Sequence, residues 1–266
     1  MKIIVCIKQV PDTQKVQVDP VTGVLNRNGI ETKMNPYDLY AIETALYIKQ
    51  KTNAHISVIT MGPPSATEII HEAFSLGCDE GYLLTDRKFA GADVLATSFA
   101  ISQGILSIDK EVDLIICGKQ TTDGDTAQVG PAIGEHLSIP HVSWVKKIID
   151  VDEHQITLNQ EYAHSIATTR LTYPCLLTVE DGIFQPRLPS YTLKQESKDK
   201  SIHTITFNDL VIQEESRYGL SGSPTQVEKI FEPVSNDQTT KYVGDSKKLS
   251  NQLYQTLVDL KYVEGQ

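Results

Sequence analysis

An α/β fold built on a mostly parallel sheet, with helices on both faces, is what the sequence predicts. A β-hairpin extends it and a C-terminal helical arm ends it. Three observations carry this expectation. Short apolar runs alternate with helix-patterned segments through the first half of the chain. Those runs give way to glycine, proline or charged residues, where a strand would end. After Pro140 the alternation stops and strand-like segments follow one another around polar turns. Strand–helix alternation needs crossovers, which make neighbouring strands parallel and set helices on both faces.

In order, residues 2–10 (KIIVCIKQV) read as a buried strand. A long polar connection follows, with turn signals at Pro11–Asp12, Asp19–Pro20 and Asn28–Gly29. A helix opens at Asn35–Pro36 and runs to about Lys51, with the proline in its first turn and the asparagine able to cap it. Ala41, Ala45, Leu46 and Ile48 form its apolar stripe. Residues 55–61 are a second strand, and 62–64 a turn. Ser65 or Thr67 caps a helix over 68–76. Residues 80–85 form a third strand and 92–106 a helix with Asp93 near its start. The fourth strand covers 113–117 and its helix 126–137.

In the second half, residues 142–151 and 155–160 read as strands around a turn at 152–154, and 168–172 as another. Residues 174–179 rejoin the sheet. Residues 184–201 form an exposed polar loop and then a short helix. Residues 213–227, with Gly219, Gly222 and Pro224, read as a linker. Leu249, Leu253, Leu257 and Leu260 give the tail a helical stripe. The division expected is 1–212 and 213–266, the second part being linker and arm.

A net charge of -10 over 266 residues argues against a nucleic-acid partner, because phosphate surfaces repel such a chain. The N-terminal apolar run is too short for a signal or a membrane insertion. None of the four cysteines forms a C-x-x-C pair, and no metal-ligand spacing occurs. Together these point to a cytoplasmic chain with reduced thiols and no metal. Trp144 reads as packing on a strand.

Ligands of open α/β sheets bind beyond the carboxyl ends of strands. Here those ends are Lys8–Gln9, Met61–Gly62, Asp86 and Gly118–Lys119. The last opens the loop GKQTTDGDTAQVG, residues 118–130. A helix starting near Thr126 exposes unpaired amides that favour an anion. Gly124 permits a left-handed or tight backbone, and Ala127 and Gly130 permit close approach. Asp125 with Gln128 resembles a capping box, and Asp123 can stiffen the turn. Two carboxylates pointed at a phosphate would repel it, so the amides are assigned to the ligand. A plain capped helix fits the pattern equally well.

The motifs KIIVCIKQVPD (2–12), MNPYDLYAIETAL (34–46), VITMGPP (58–64) and GKQTTDGDTAQVGPAIGEHL (118–137) resemble, in this order, those of electron-transfer flavoprotein β subunits. The resemblance covers essentially the whole chain and implies a Rossmann-like, adenine-nucleotide-binding domain. It further implies a heterodimer with a larger α subunit that holds a redox FAD. The β site would hold AMP in ordinary members and a second FAD in flavin-bifurcating ones. On this resemblance Cys6, Asn35, Pro36, Tyr37, Asp38 and Met61 lie beside base and ribose. Gly118, Lys119, Gln120, Thr121, Thr122, Asp123, Gly124, Asp125, Thr126, Ala127, Gln128 and Val129 wrap ribose and phosphates.

DRKFAGADVLATS (86–98) and GLSGSPTQV (219–227) resemble the bifurcating branch, which places Ala92, Asp93, Val94 and Thr97 near the second flavin. NADH is then the hydride donor, ferredoxin the low-potential acceptor, and an acyl-CoA or hydroxy-acid dehydrogenase the other partner. The flavin carries the chemistry, and no side chain is a catalytic acid or base. Residues 184–201 resemble the family's recognition loop, with Leu193 as its docking residue, although acids here replace small and basic residues. Two readings stay open beside this: a structural AMP, and a nucleotide-binding sensor without redox duty.

Overall fold

A computed structural model describes residues 1–12, 31–227 and 239–263. The turn signals at Asp19–Pro20 and Asn28–Gly29 lie outside the described residues. The chain divides into two units, Met1–Glu228 and Lys229–Gln266.

In the first unit, β1 (Lys2–Cys6), β2 (Gln9–Pro11) and β3 (Thr32–Met34) precede α1 (Pro36–Thr52). Then come β4 (His55–Met61), α2 (Thr67–Leu76), β5 (Glu80–Leu84) and α3 (Val94–Ile108). The elements β6 (Leu114–Gly118) and α4 (Val129–Leu137) complete the alternating half. There follow β7 (His141–Val151), β8 (Gln155–Tyr162), β9 (Ser165–Thr172) and β10 (Cys175–Val179), then α5 (Tyr191–Glu196) and β11 (His203–Ile205). The described residues form a nine-stranded sheet in the order β11-β5-β4-β1-β6-β10-β7-β8-β9. All pairs from β11 to β7 are parallel, and β8 and β9 extend the edge as an antiparallel hairpin.

The central strands are near-continuous apolar runs because both faces are covered. Ile42, Ile48, Ile70 and Phe74 of α1 and α2 pack on one face, against Val5, Val58 and Ile116. Ile101, Ile105 and Ile133 of α3 and α4 pack on the other, against Ile4, Ile59 and Ile115. The α1 helix stops at Asn53, whose left-handed backbone (φ 52°) lets its amide reach the Lys49 carbonyl.

Several boundaries differ from expectation, each through a contact outside the local sequence. The strand expected over 2–10 ends at Cys6, because the Lys8 amide turns to donate to the Asp38 carboxylate at 2.7 Å. Residues 9–11 then pair with 32–34 in a separate ribbon. Asn35 does not cap α1, since its side chain bridges Asp38 and the 118–130 loop instead. Thr67 does not cap α2 either, because its hydroxyl donates back to the Pro64 carbonyl.

The segment 213–227 is not a free linker. Tyr218 is buried among Phe89, Phe99 and Phe207, with ring centroids 5.2–5.7 Å apart, and its hydroxyl donates to the Ile212 carbonyl. Gly219 (φ 53°) is there for close approach, since a Cβ on it would stand 2.2 Å from the Lys88 carbonyl oxygen.

In the second unit, α6 (Ser246–Asp259) is capped by Asp245, whose carboxylate accepts from the Lys248 amide at 2.9 Å. No described residue of α6 is buried, and Leu253 and Leu260 stand exposed.

Candidate functional site

The strand β1 pairs with β4 on one side and β6 on the other, so the chain's crossovers leave it in both directions. That switch point is where an open α/β sheet leaves a crevice beyond its strand ends. A cavity of about 390 Å³ opens there.

Its floor is made by the ends of β1 and β6. Cys6 and Cys117 are register partners, and Cys6, Asp38, Cys117 and Gly118 all line the cavity. Asp38, only 4% exposed, accepts from the Lys8 amide at 2.7 Å and from the Asn35 amide group at 2.9 Å. Burial pushes its carboxyl up to about 7, the hydrogen bonds from Asn35 and Lys8 opposing only part of that rise. A Cβ on Gly118 would stand 2.6 Å from Asp38 Oδ1 and 2.7 Å from the Tyr37 carbonyl carbon, so only glycine lets β6 pass α1 here. Asn35 is fully buried and lies behind this floor. It joins α1 to the loop through the Gln120 carbonyl (2.9 Å) and the Thr122 amide (3.2 Å). Pro36 and Tyr37 also stay off the cavity surface, in the first turn of α1.

The 118–130 loop forms one wall. Lys119, Gln120, Thr121, Gly124, Thr126, Ala127, Gln128 and Val129 all reach the cavity. Thr122, Asp123 and Asp125 do not. Asp123 takes the Lys8 ammonium at 2.7 Å, which holds its carboxyl below the usual range despite burial pushing the other way. Asp125 accepts from the Gln120 side chain.

The helix expected from Thr126 starts only at Val129, and the capping box of Asp125 and Gln128 is absent. The backbone explains why: Asp125 (φ 54°) and Ala127 (φ 55°) are left-handed, which interrupts a helix before it begins. The left-handed residues are these two and not Gly124, as the sequence suggested. Among the described residues, the amides of Gly124, Thr126, Ala127, Gln128, Val129 and Gly130 meet no acceptor. Left-handed Ala127 followed by right-handed Gln128 is the backbone pairing from which anion-binding nests are built. Gly130 backs onto β10, where a Cβ would stand 2.5 Å from Thr178.

The opposite wall is the loop before α3. Ala92, Asp93, Val94 and Thr97 line the cavity, with Met61 at the end of β4. The α3 helix begins at Val94, so Ala92 and Asp93 precede it. One oxygen of Asp93 caps the Ala96 amide at 3.1 Å, and the other accepts the Thr225 amide (3.1 Å) and hydroxyl (2.7 Å). Burial pushes its carboxyl up, but these donors outweigh that and hold it below the usual range. The Asp93 amide in turn donates to Ser223 at 2.8 Å.

Phe89, Gly91, Ile101 and Cys117 also line the cavity, without having been expected there. Cys117 was legible as the residue before the loop, whereas Phe89 reaches the site only through its packing under Tyr218.

Beside the cavity, Lys119 pairs with the buried Glu180 at 2.9 Å, which holds its ammonium above the usual lysine range. Trp144 is 42% exposed and left-handed (φ 61°), with its ring 5.6 Å from the Lys119 ammonium. It is therefore not a core residue. Leu193 is partly buried where α5 packs on α2, and the exposed apolar residues of its loop are Leu188 and Tyr191.

A pocket of this size with converging polar groups suits a small cofactor, and a ring of unpaired amides suits a phosphate. An adenine nucleotide fits both. Among the described residues, no group of three His, Cys, Asp or Glu could hold a metal, and no helix is long and apolar enough to cross a membrane.

Comparison with known proteins agrees. The electron transfer flavoprotein domain matches residues 22–210. An electron transfer flavoprotein subunit beta of Clostridium acetobutylicum is 43% identical over 86% of this chain and 87% of its own length. One from Megasphaera elsdenii is 38% identical over 99% of this chain and all of its own. A protein FixA of Bradyrhizobium diazoefficiens is 40% identical over 93% and 88%. The match spans both walls of the cavity, and the chain belongs to the electron transfer flavoprotein family, with its β subunits and FixA proteins.

Proposed function

We propose that this chain is the β subunit of a heterodimeric, flavin-bifurcating electron transfer flavoprotein and that its cavity holds FAD. The single observation that carries the reading is the set of unpaired amides, Gly124 and Thr126 to Gly130 among the described residues, at the switch point of the sheet. The adenine end lies over the Cys6–Gly118 floor, the pyrophosphate takes the amides, and the rest of the dinucleotide passes the lip at Ala92, Val94 and Thr97. A flavin bound there would supply hydride acceptance from NADH and one-electron transfer, to ferredoxin and through the α-subunit FAD to an acyl-CoA or hydroxy-acid dehydrogenase. The chain's own residues bind and orient. Lys8 and Lys119 line the cavity while paired to Asp123 and Glu180.

Exposed Leu253 in α6 and Leu260 just after it support an arm that packs on the α subunit. The loop 184–201, with Leu193 and the more exposed Leu188, supports a dehydrogenase contact. A volume of about 390 Å³ favours keeping a second reading, a structural AMP, which uses the same floor and amides. The test is to purify the heterodimer, release its nucleotides in acid and count them. Two FAD per heterodimer, with bleaching by NADH, is the expected result. One FAD with one AMP overturns bifurcation and leaves the second reading.

A further inference from the structure

We propose that Cys6 and Cys117 form a redox-sensitive dithiol in the cavity floor, closed to an intramolecular disulfide by hydroperoxides when the site is empty. The two are register partners on neighbouring parallel strands, Cys6 being the last residue of β1. Register partners project to the same face of a sheet, and both thiols belong to the cluster beneath α3 and α4. Both line the cavity and pack into the same cluster. Cys6 is partly exposed, whereas Cys78, Cys117 and Cys175 are buried. Cys175 has Leu114, not a cysteine, as its register partner, so the pairing is specific to the cavity floor.

Neighbouring strands lie about 4.7–4.9 Å apart, inside the range of roughly 4.4–6.8 Å between Cα atoms that a disulfide spans. Flat strand pairing holds the Cβ atoms wider than a relaxed disulfide does. The bond is therefore strained and easily reduced, as a reversible device requires.

The chemistry balances with a hydroperoxide as oxidant. The Cys6 sulfur, on losing its proton, attacks a peroxide oxygen; the O–O bond breaks and an alcohol leaves, or water if the oxidant is hydrogen peroxide. The Cys117 sulfur then displaces the sulfenic oxygen as a second water and the S–S bond forms. Two thiols lose two electrons and two protons, all taken up by the peroxide. A nucleotide over the floor shields Cys6. Closing the bond shifts Ile7, Lys8, Gly118 and Lys119, which follow the two sulfurs into the cavity wall.

The shielding rests on the nucleotide reading, but the crosslink does not, so one experiment separates the two. The full chain, stripped of nucleotide, is treated with hydrogen peroxide with and without AMP and then digested without reductant. The expected result is a Cys6–Cys117 linked peptide in the stripped protein. It falls about tenfold with AMP at ten times its Kd, and the oxidised protein binds AMP about tenfold more weakly until reduced. Cys117→Ala abolishes the linked peptide and leaves Cys6 oxidised singly. Absence of the linked peptide overturns the dithiol. A linked peptide formed equally with AMP bound, or an unchanged affinity after oxidation, overturns the coupling. Failure of AMP to bind at all, with the crosslink present, overturns the nucleotide reading alone.

Discussion

The two walls of the cavity use their polar groups in opposite ways. In the 118–130 wall the side chains bond to protein, Asp123 to Lys8 and Asp125 to Gln120, while the amides of Gly124 and of Thr126 to Gly130 meet no acceptor among the described residues. In the wall at 86–94 Asp93 and its neighbours tie the wall to the strap behind it. Asp93 is held by Ala96 and Thr225, its amide by Ser223, and the Ala90 carbonyl takes the Leu220 amide at 3.0 Å. Amides that meet no protein acceptor remain open to an anion, so a wall that leaves several of them open is the one suited to a ligand. The first wall is thus the one with amides open to a ligand, and the second is shaped by the 213–227 strap behind it.

Substitutions test that contrast. The largest effect is expected from Gly118→Ala, where the new methyl meets backbone and a buried carboxylate with nothing flexible to yield. It should cost about 3 kcal/mol in denaturant unfolding and empty the cavity. A change of comparable size, spread over pH, comes from Asp38 beneath it. Its folded pKa of about 7 lies above the unfolded 3.8, so the native state binds the extra proton. The contribution to stability is whole below the unfolded value and is lost as pH rises through about 7. Asp38→Asn should flatten that slope between acid and neutral pH, and a slope left intact would place the titration elsewhere.

Ala127→Leu should expel the nucleotide while unfolding stays within about 1 kcal/mol of wild type, because the residue lines the cavity and is not in the core. Full occupancy in purified protein would break the assignment of the first wall to the ligand. The smallest effect belongs to Asp93→Ala, about 1–2 kcal/mol from a lost helix cap and strap contact, with the nucleotide retained. Nucleotide loss at wild-type stability would make Asp93 a ligand and erase the contrast between the walls.

Local pattern made most of the frame legible. The runs at 2–6, 55–61, 80–84 and 114–118 announce parallel strands because strands covered on both faces are apolar throughout. The cavity's position followed from the same signal, since strand ends are marked by glycine and charge. The finer errors share one cause. Asn35 was read as a cap and Asp125 as half of a capping box, yet the first bonds across to Gln120 and the second takes up a left-handed turn. Residues 213–227 have the glycine and proline of a linker, but Tyr218 and Gly219 dock them against Phe89 and Lys88.

By itself, then, the amino-acid order determined which segments are strands and helices, that the strands run parallel, and that a loop after the fourth long strand borders the cavity. Periodicity and punctuation are local properties, and a chain displays them before it folds. Tertiary structure alone decided that Asp38 is buried and its carboxyl pushed up to about 7, that Asp93 answers to Thr225, and that Cys6 meets Cys117. Those outcomes depend on partners 30 to 132 positions away in the chain, where burial and hydrogen-bond competition are settled only when the sheet is assembled.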